Sequence, residues 1–320
     1  MSAPAQDTAP APTAPLWRRL WARPGFHGVV MMLVEIFAFV LFAWLIGMAL
    51  RWLVPLPPVP FQASVTEAAP DVFIRALRSI AAAGLAYWLM VRLVQRRKVD
   101  ELAPRKLLPH AAAGWGLGMA ILVVAALLMA AVGVLRWQGG INEDAALLAP
   151  LFVLGLVPGI TEEIVARGVL LGVVERGLGT WAALVISSLL FGFGHAANPN
   201  ATLFSSVAIA VEAGLLLGMA YVWTRSLWFV FGLHAAWNFT QGPLLGIPVS
   251  GLQIDGLLDA TASGPAWLSG GPFGAEASVL TIVLCVGVAA WFTKKAIADG
   301  KIVRPSWRRP RHPAPAPLAD

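Results

Sequence analysis

The sequence contains few charged residues. Only 12% of its 320 residues are Asp, Glu, Lys or Arg, whereas about 25% is usual for a soluble domain. In contrast, 58% are hydrophobic, and the mean hydropathy is +0.74. Apolar windows of about 18–25 residues recur along the chain, each long enough to cross a ~30 Å hydrocarbon core as a helix. The sequence therefore predicts a polytopic membrane protein rather than a water-soluble enzyme.

Cysteine is also scarce, and two familiar patterns are missing. The single cysteine, Cys285, excludes an intrachain disulfide framework and a cysteine-based metal site, and we expect it to be a small buried side chain. The zinc-protease pattern HExxH is absent. No internal repeat of the kind found in inverted-repeat transporters is recognisable.

Eight apolar windows predict transmembrane helices. Lipid leaves only helices or closed barrels as solutions for the backbone, and these windows are too long and continuous for barrel strands. The first window is too long for the core of a signal peptide and has no small-residue cleavage site behind it, so we expect it to be retained. The predicted fold is an all-α polytopic bundle with helices near residues 28–52, 73–93, 112–136, 147–173, 181–197, 202–224, 227–245 and 278–293.

The positions of Lys and Arg predict the orientation. Basic clusters precede the first window, separate the second from the third and follow the last, so with eight crossings all three lie on one side. The positive-inside rule makes that side, and both termini, cytoplasmic. The net charge of +6 then indicates topology and attraction to membrane lipid, and we expect no nucleic-acid partner. The clusters are Arg18, Arg19 and Arg23; Arg92, Arg96, Arg97, Lys98, Arg105 and Lys106; and Lys294, Lys295, Lys301, Arg304, Arg308, Arg309 and Arg311.

The composition also predicts how the chain is divided. Both ends are rich in Pro and Ala and carry too little apolar material to pack, so we expect them to be disordered. The predicted regions are a basic tail (1–26), three transmembrane helices (27–146), a core of further helices (147–245), an extracytoplasmic loop (246–276), and a last helix with a basic tail (277–320).

Polar side chains inside the windows fall into three main clusters: "EEIVAR" (162–167), "FGFGH" (191–195) and "HAAWN" (234–238). A carboxylate at bilayer depth costs several kcal/mol, so such residues indicate function. Glu163 and Arg167 are four residues apart and share a helix face, so they can neutralise each other. Glu162 is turned by about 100° and needs another partner.

These groups suit the activation of water. A carboxylate and an imidazole that converge on one water molecule can remove its proton. A second histidine with an asparagine amide can donate hydrogen bonds to an oxyanion. Together the clusters predict an amide hydrolase. Taken singly, each also fits a structural ion pair, a transport path or hydrogen bonds between helices.

The ordered set EExxxR, FxxxH and HxxxN, each on its own helix, resembles the CPBP family of intramembrane proteases, named for CAAX prenyl proteases and bacteriocin-processing enzymes and also called Abi. The resemblance covers about residues 147–240 and includes "AGLLLGMAYVWTRSLWFVFGLHAAWNF". It implies that Glu162 and His195 hold and activate the water. Glu163 and Arg167 would be the supporting pair beside them.

The resemblance further implies that His234 and Asn238 form the oxyanion site. It leaves the metal open, because the family is described both as zinc metalloproteases and as metal-independent glutamate proteases. Glu162, His195 and His234 are the candidate zinc ligands, since three protein ligands and a water are typical of catalytic zinc. We expect the version without metal.

We therefore predict an intramembrane endopeptidase that cleaves a membrane-associated protein or peptide in a bacterial cytoplasmic membrane. The alternative is a catalytically silent protein that binds a peptide or confers immunity to it, or a small transporter. The complete motif set favours the enzyme. Among the other polar residues, we expect Glu212 to face the same polar cavity and Glu35 to serve in packing or substrate entry.

Overall fold

A computed structural model describes residues 24–56, 69–139, 141 and 148–308. Eight helical segments are present in these ranges, in the order of the eight predicted windows. The predicted disordered tails lie largely outside the described residues, as do Arg18, Arg19, Arg23, Arg309 and Arg311. Residues 24–26 are described, and they begin the first helix rather than end a disordered tail.

The segments combine α-helix with wider π-helical turns. The α-helices are α1 (Pro24–Leu53), α2 (Ala69–Leu89), α3 (Leu107–Ala131), α4 (Leu148–Glu163), α5 (Gly172–Leu178), α6 (Thr180–Gly194), α7 (Leu203–Ile209), α8 (Leu216–Thr224), α9 (Leu227–Phe239), α10 (Ala266–Ser269) and α11 (Val279–Ala298). The π-helical stretches are Met90–Val94 after α2, Ile164–Leu171 between α4 and α5, Ala210–Leu215 between α7 and α8, and Thr240–Leu244 after α9.

Six of the eight segments are long and apolar enough to cross a membrane. They are Gly28–Leu53, Asp71–Val94, Pro104–Ala131, Thr180–Ala197, Leu203–Thr224 and Val279–Ala298. The fourth and seventh segments do not meet this measure, and they carry the EExxxR and HxxxN clusters. The chain is thus a polytopic helical membrane protein. That these two segments also cross the membrane stays a prediction.

Several boundaries differ from the predicted windows; the fourth segment, for example, continues to Leu178, past the predicted 173. The third helix ends at Ala131 instead of near 136, because Gly133 adopts a positive φ of 81° that stops the helix. The chain then forms strand β1 (Leu135–Gln138), which pairs antiparallel with β2 (Asp259–Ala262) from the predicted loop, a small sheet that the all-α prediction missed. The last helix continues to Ala298, past the predicted 293.

The bundle has two distinguishable ends. At one, which we call the basic end, the connections 95–106, 224–226 and 299–308 meet: Lys106 Nζ donates to the Arg225 carbonyl at 3.2 Å, and Arg225 Nη2 donates to the Lys301 carbonyl at 2.7 Å. At the other, the loop end, the segments 132–139, 195–202 and 245–278 meet. There Ser263 N donates to the Val134 carbonyl at 2.9 Å.

Helix α9 lies at the centre and packs against α3 and α4. Small residues allow the backbones to approach closely, as is common between membrane helices. A Cβ added at Gly114 would lie 2.0 Å from the Phe229 carbonyl oxygen, and one at Gly159 would lie 2.7 Å from the Ala235 nitrogen. The position of α9 is therefore fixed largely by backbone contact.

Candidate active site

A fully buried ion pair lies within the fourth segment, and its carboxylate also contacts a histidine of the seventh. Glu163 Oε1 lies 2.6 Å from Arg167 Nη1 and 2.9 Å from His234 Nδ1, and the Glu163 and Arg167 side chains are 0% and 1% exposed. The spacing of four residues on one helix predicted the first contact, and the structure confirms it. The second contact crosses between helices. One carboxylate oxygen thus holds both a cation and the imidazole of α9.

Arg167 has further partners that explain how its charge is tolerated. Its Nη2 donates to the Ala213 carbonyl at 2.7 Å, and its guanidinium carbon lies 4.5 Å from the centre of the Phe191 ring. Ala213 lies in a π-helical stretch, where the wider turn leaves carbonyls available to other donors. Arg167 therefore ties together the fourth, fifth and sixth segments.

The other glutamate, Glu162, faces His195 on the next helix. The Glu162 Oε2 and His195 Nε2 atoms are 3.8 Å apart, too far for a direct hydrogen bond, and the two side chains are 38% and 16% exposed. His195 follows α6 in a 3₁₀ turn, and its Nδ1 lies 2.8 Å from the Phe191 carbonyl oxygen. Within the described residues, Glu162 Oε2 has no hydrogen-bond partner.

These groups line an outer cavity of about 520 Å³. The helices contribute five polar side chains, those of Thr161, Glu162, His195, His234 and Asn238, and most of the remaining wall is apolar. The apolar lining residues include Pro158, Val165, Ala166, Leu170, Leu190, Val249 and Leu252. A carboxylate, two imidazoles and an amide thus face one space large enough for a segment of peptide.

A much smaller inner cavity, of about 20 Å³, lies on the other side of His195, His234 and Asn238. This volume suffices for one water molecule. Glu212 and Glu276 both line it. Glu212 is buried, and neither of its carboxylate oxygens has a hydrogen-bond partner in the described part of the chain. The expectation that Glu212 faces the site's polar cavity is met at this inner cavity.

Glu276 comes from the turn before α11 and is held by Ser250. The Ser250 N–H donates to its Oε2 at 2.6 Å, and the Ser250 hydroxyl donates to its Oε1 at 3.0 Å. Burial raises the pKa of the Glu276 carboxyl above its ordinary value, and the two Ser250 hydrogen bonds oppose that shift. This contact fixes the turn at 249–252 over the cavities.

Residues 144–240 match the family model described as Rce1-like, type II CAAX prenyl endopeptidase Rce1-like. The match covers less than a third of the 320 residues, and it supports an assignment to the CPBP/CAAX protease family. It nearly coincides with the predicted core at 147–245 and includes all three motif clusters. No curated protein matches the chain. The match supports an intramembrane CAAX-type endopeptidase, and it identifies neither the catalytic residues nor the substrate.

The six motif residues predicted from the sequence surround one place. Four of them line the outer cavity, and the buried pair Glu163 and Arg167 lies directly behind His234. The chemical roles predicted for these residues remain predictions. Trp237 lines the inner cavity, and Cys285 is fully buried, as expected for a small side chain without chemistry.

The candidate zinc ligands Glu162, His195 and His234 share the outer cavity. Within the described ranges, no three His, Cys, Asp or Glu side chains are already grouped closely enough to bind one ion. His234 Nδ1 contacts Glu163 and His195 Nδ1 contacts a backbone carbonyl, and histidines that bind a metal through Nε2 have the same kind of contact at Nδ1. That the site works without a metal therefore stays a prediction.

Sequence reasoning missed the contribution of the loop end. Asn198 and Ser250 line the outer cavity, and Asn198 Nδ2 donates to the Ser250 carbonyl at 3.0 Å. Neither residue stands in a motif, so the sequence carried no signal for them. Glu35, considered for packing or substrate entry, lies away from the cavity. It pairs with Arg176 and accepts a hydrogen bond from Gln95 at 3.1 Å, near the basic end.

Proposed function

We propose that this protein is an intramembrane endopeptidase in which Glu162 and His195 activate water without a metal. The observation that carries the proposal is the 3.8 Å gap between Glu162 Oε2 and His195 Nε2 at the wall of a peptide-sized cavity. A polar contact longer than a hydrogen bond is a place where water bridges two groups. The missing partner of Glu162 Oε2 supports the same reading.

The tautomer of His195 follows from its contact with the backbone. A carbonyl oxygen only accepts, so the Nδ1 that lies 2.8 Å from the Phe191 carbonyl carries the ring proton. In the neutral ring, Nε2 is then an acceptor. A water between His195 and Glu162 donates one hydrogen to each, which directs an oxygen lone pair into the cavity.

The reaction then follows from this placement. Glu162 takes a proton from the water as the water oxygen bonds to the carbonyl carbon of the peptide, and the carbonyl oxygen becomes an oxyanion. The carbon–nitrogen bond breaks as the leaving amine receives the proton from Glu162. The products are a carboxylic acid and an amine, and no oxidant or further reactant is needed.

Asn238 and His234 are the donors proposed for the oxyanion. The Asn238 amide has N–H groups in any protonation state. His234 already donates through Nδ1 to Glu163, so its Nε2 can donate only when the ring carries a second proton. The Glu163 carboxylate offsets the charge of that proton, which is a positioning role similar to that of the acid in a catalytic triad.

The test compares peptide termini in membranes from cells that produce the wild-type chain, Glu162→Gln or Asp255→Asn. Asp255 is an exposed acid that does not line the outer cavity, so its variant is a matched control for the change from acid to amide. New termini should appear with the wild type and with Asp255→Asn, and should be missing with Glu162→Gln. Identical termini in all three samples would contradict the proposal and favour a peptide-binding or transport protein.

A further inference from the structure

Glu212 lines the inner cavity and has no part in the proposed mechanism. The residue is 1% exposed, and neither of its carboxylate oxygens has a hydrogen-bond partner among the described residues. Buried polar atoms in proteins bind either protein groups or ordered water. The inner cavity has a volume of about 20 Å³, which is enough for one water molecule. Glu212 is therefore placed to hold a water rather than another side chain.

The Asn238 side chain lies between the two cavities, because the residue lines both. Its amide has a donor end, the NH₂ group, and an acceptor end, Oδ1, of nearly the same shape. Within the described residues, no hydrogen bond to another group holds this amide in one of its two orientations. The proposed mechanism requires the NH₂ group in the outer cavity, which leaves Oδ1 for the inner one.

Other polar groups around the inner cavity already have partners. Both Glu276 oxygens accept hydrogen bonds from Ser250, and each histidine of the site has its Nδ1 atom engaged. Glu212 and Asn238 are two lining residues without any side-chain hydrogen bond in the described part of the chain. A water in the inner cavity therefore meets an unused acceptor oxygen on each of these two side chains.

The water determines which end of the amide faces inward. A carboxylate that faced Asn238 directly would attract the NH₂ group into the inner cavity, away from the oxyanion. A water between the two side chains has the opposite effect, because it donates one hydrogen to the carboxylate and the other to Oδ1. The NH₂ group is then directed into the outer cavity.

We infer that Glu212 is a positioning residue, which holds a water in the inner cavity and through it orients the Asn238 amide toward the oxyanion. The inference rests on the proposed function and specifies how one of its oxyanion donors is held. Glu212 makes and breaks no bond in the reaction. Its role requires an acceptor oxygen and no charge, so an amide at position 212 can replace the carboxylate.

The kinetic test uses Glu212→Met, which removes the acceptor oxygens, and Glu212→Gln, which keeps one. The probe is a fluorogenic peptide that contains a Glu162-dependent cleavage site found in the comparison of termini. Glu212→Met should lower kcat by about 3- to 10-fold, the effect of one neutral hydrogen bond, with little change in KM. Glu212→Gln should stay within about 2-fold of the wild type. An equal loss with Gln and Met would overturn the inference, because it would show that the charge or the proton of Glu212 is needed.

Two further variants separate positioning from a general structural effect. Thr281→Val is the control, because it removes another fully buried hydroxyl that has no described partner and lines neither cavity. It should keep the wild-type kcat. In an Asn238→Ala background, Glu212→Met should cause no further loss, because the group on which it acts is gone. The same fold loss with and without Asn238 would overturn the inference.

The water itself can be observed without any activity. A density map of the wild-type protein should show a water within hydrogen-bond distance of Glu212 and Asn238 Oδ1, and a map of Glu212→Met should lack it. A wild-type map without this water would overturn the inference, also if Glu212→Met fails to fold. If the wild type cleaves no peptide, the proposed function fails, whereas the map still reports the water and the orientation of the amide.

Discussion

Replacing Glu163 with glutamine should destabilise the folded protein by about 3–5 kcal/mol, the cost of removing one partner from a buried ion pair. Glutamine keeps the shape and one acceptor oxygen but removes the charge. Arg167 is 1% exposed, so its guanidinium would remain in the interior without a counter-ion. His234 would lose its charged acceptor at 2.9 Å in the same step.

Glu162→Gln is the matched control, because it makes the same chemical change one residue earlier. The Glu162 side chain is 38% exposed and faces His195 at 3.8 Å, so its loss should cost no more than about 1 kcal/mol. Thermal unfolding in detergent measures the difference. At ~2 °C per kcal/mol, Glu163→Gln should melt at least about 6 °C below the wild type, whereas Glu162→Gln should melt close to it.

A second substitution tests the cause of the loss. Arg167→Met combined with Glu163→Gln removes both charges, so the double variant should be less destabilised than the sum of the two single variants. Similar melting temperatures for Glu162→Gln and Glu163→Gln would refute the reasoning, because they would show that the buried pair contributes no more than an exposed carboxylate. Purely additive losses in the cycle would show that Glu163 and Arg167 do not depend on each other.

Two further predictions concern the chemistry. Asn238→Asp should lower turnover by about 100- to 1,000-fold with little change in KM, because it puts an acceptor where the oxyanion needs a donor. The loss should be at least as large as that of Asn238→Ala. A near-normal rate for the folded Asp variant would remove Asn238 from the site. The purified protein should remain active after treatment with a metal chelator. The metal-free mechanism would be contradicted if the protein contained stoichiometric zinc, lost its activity on chelation and regained it when zinc was added.

The helices and the pairing within one helix were predictable because they follow from local spacing. The eight apolar windows located the eight helical segments, although two of the segments are not long and apolar enough to count as spans, and the spacing of four residues brought Glu163 to Arg167. The contact from Glu163 to His234 joins residues 71 positions apart, and no periodicity encodes such a contact. Counted at 1.5 Å per residue along straight helices, His195 and His234 would lie at different depths. The structure brings both to one cavity, where the Phe191 ring centre lies 5.0 Å from that of His195 and 6.1 Å from that of His234.

The loop end was the part that sequence could not predict. Residues 246–276 lack a regular apolar pattern, so they read as a loop, yet they fold over the site. Ser250 has a positive φ of 48°, and among residue types only glycine clearly predicts such a conformation from sequence. The side chain of Ser250 is held by Glu276, which lies 26 positions away in the sequence. The π-helical stretches beside Glu163 ("IVARGVLL") and around Glu212 ("AVEAGL") have no composition that would distinguish them from the α-helical parts of the same segments.

The central position of α9 has a consequence for how the protein responds to its bilayer. None of the residues from Leu227 to Phe239 is exposed, so this helix meets other helices and not lipid, whereas α1 exposes many apolar side chains along its length. When membrane thickness changes, helices that touch lipid tilt or shift to match it. Because backbone contact at Gly114 and Gly159 holds α9 in place, we expect the distance between His234 on α9 and Glu163 on α4 to stay constant while the outer helices adjust to bilayers of different thickness.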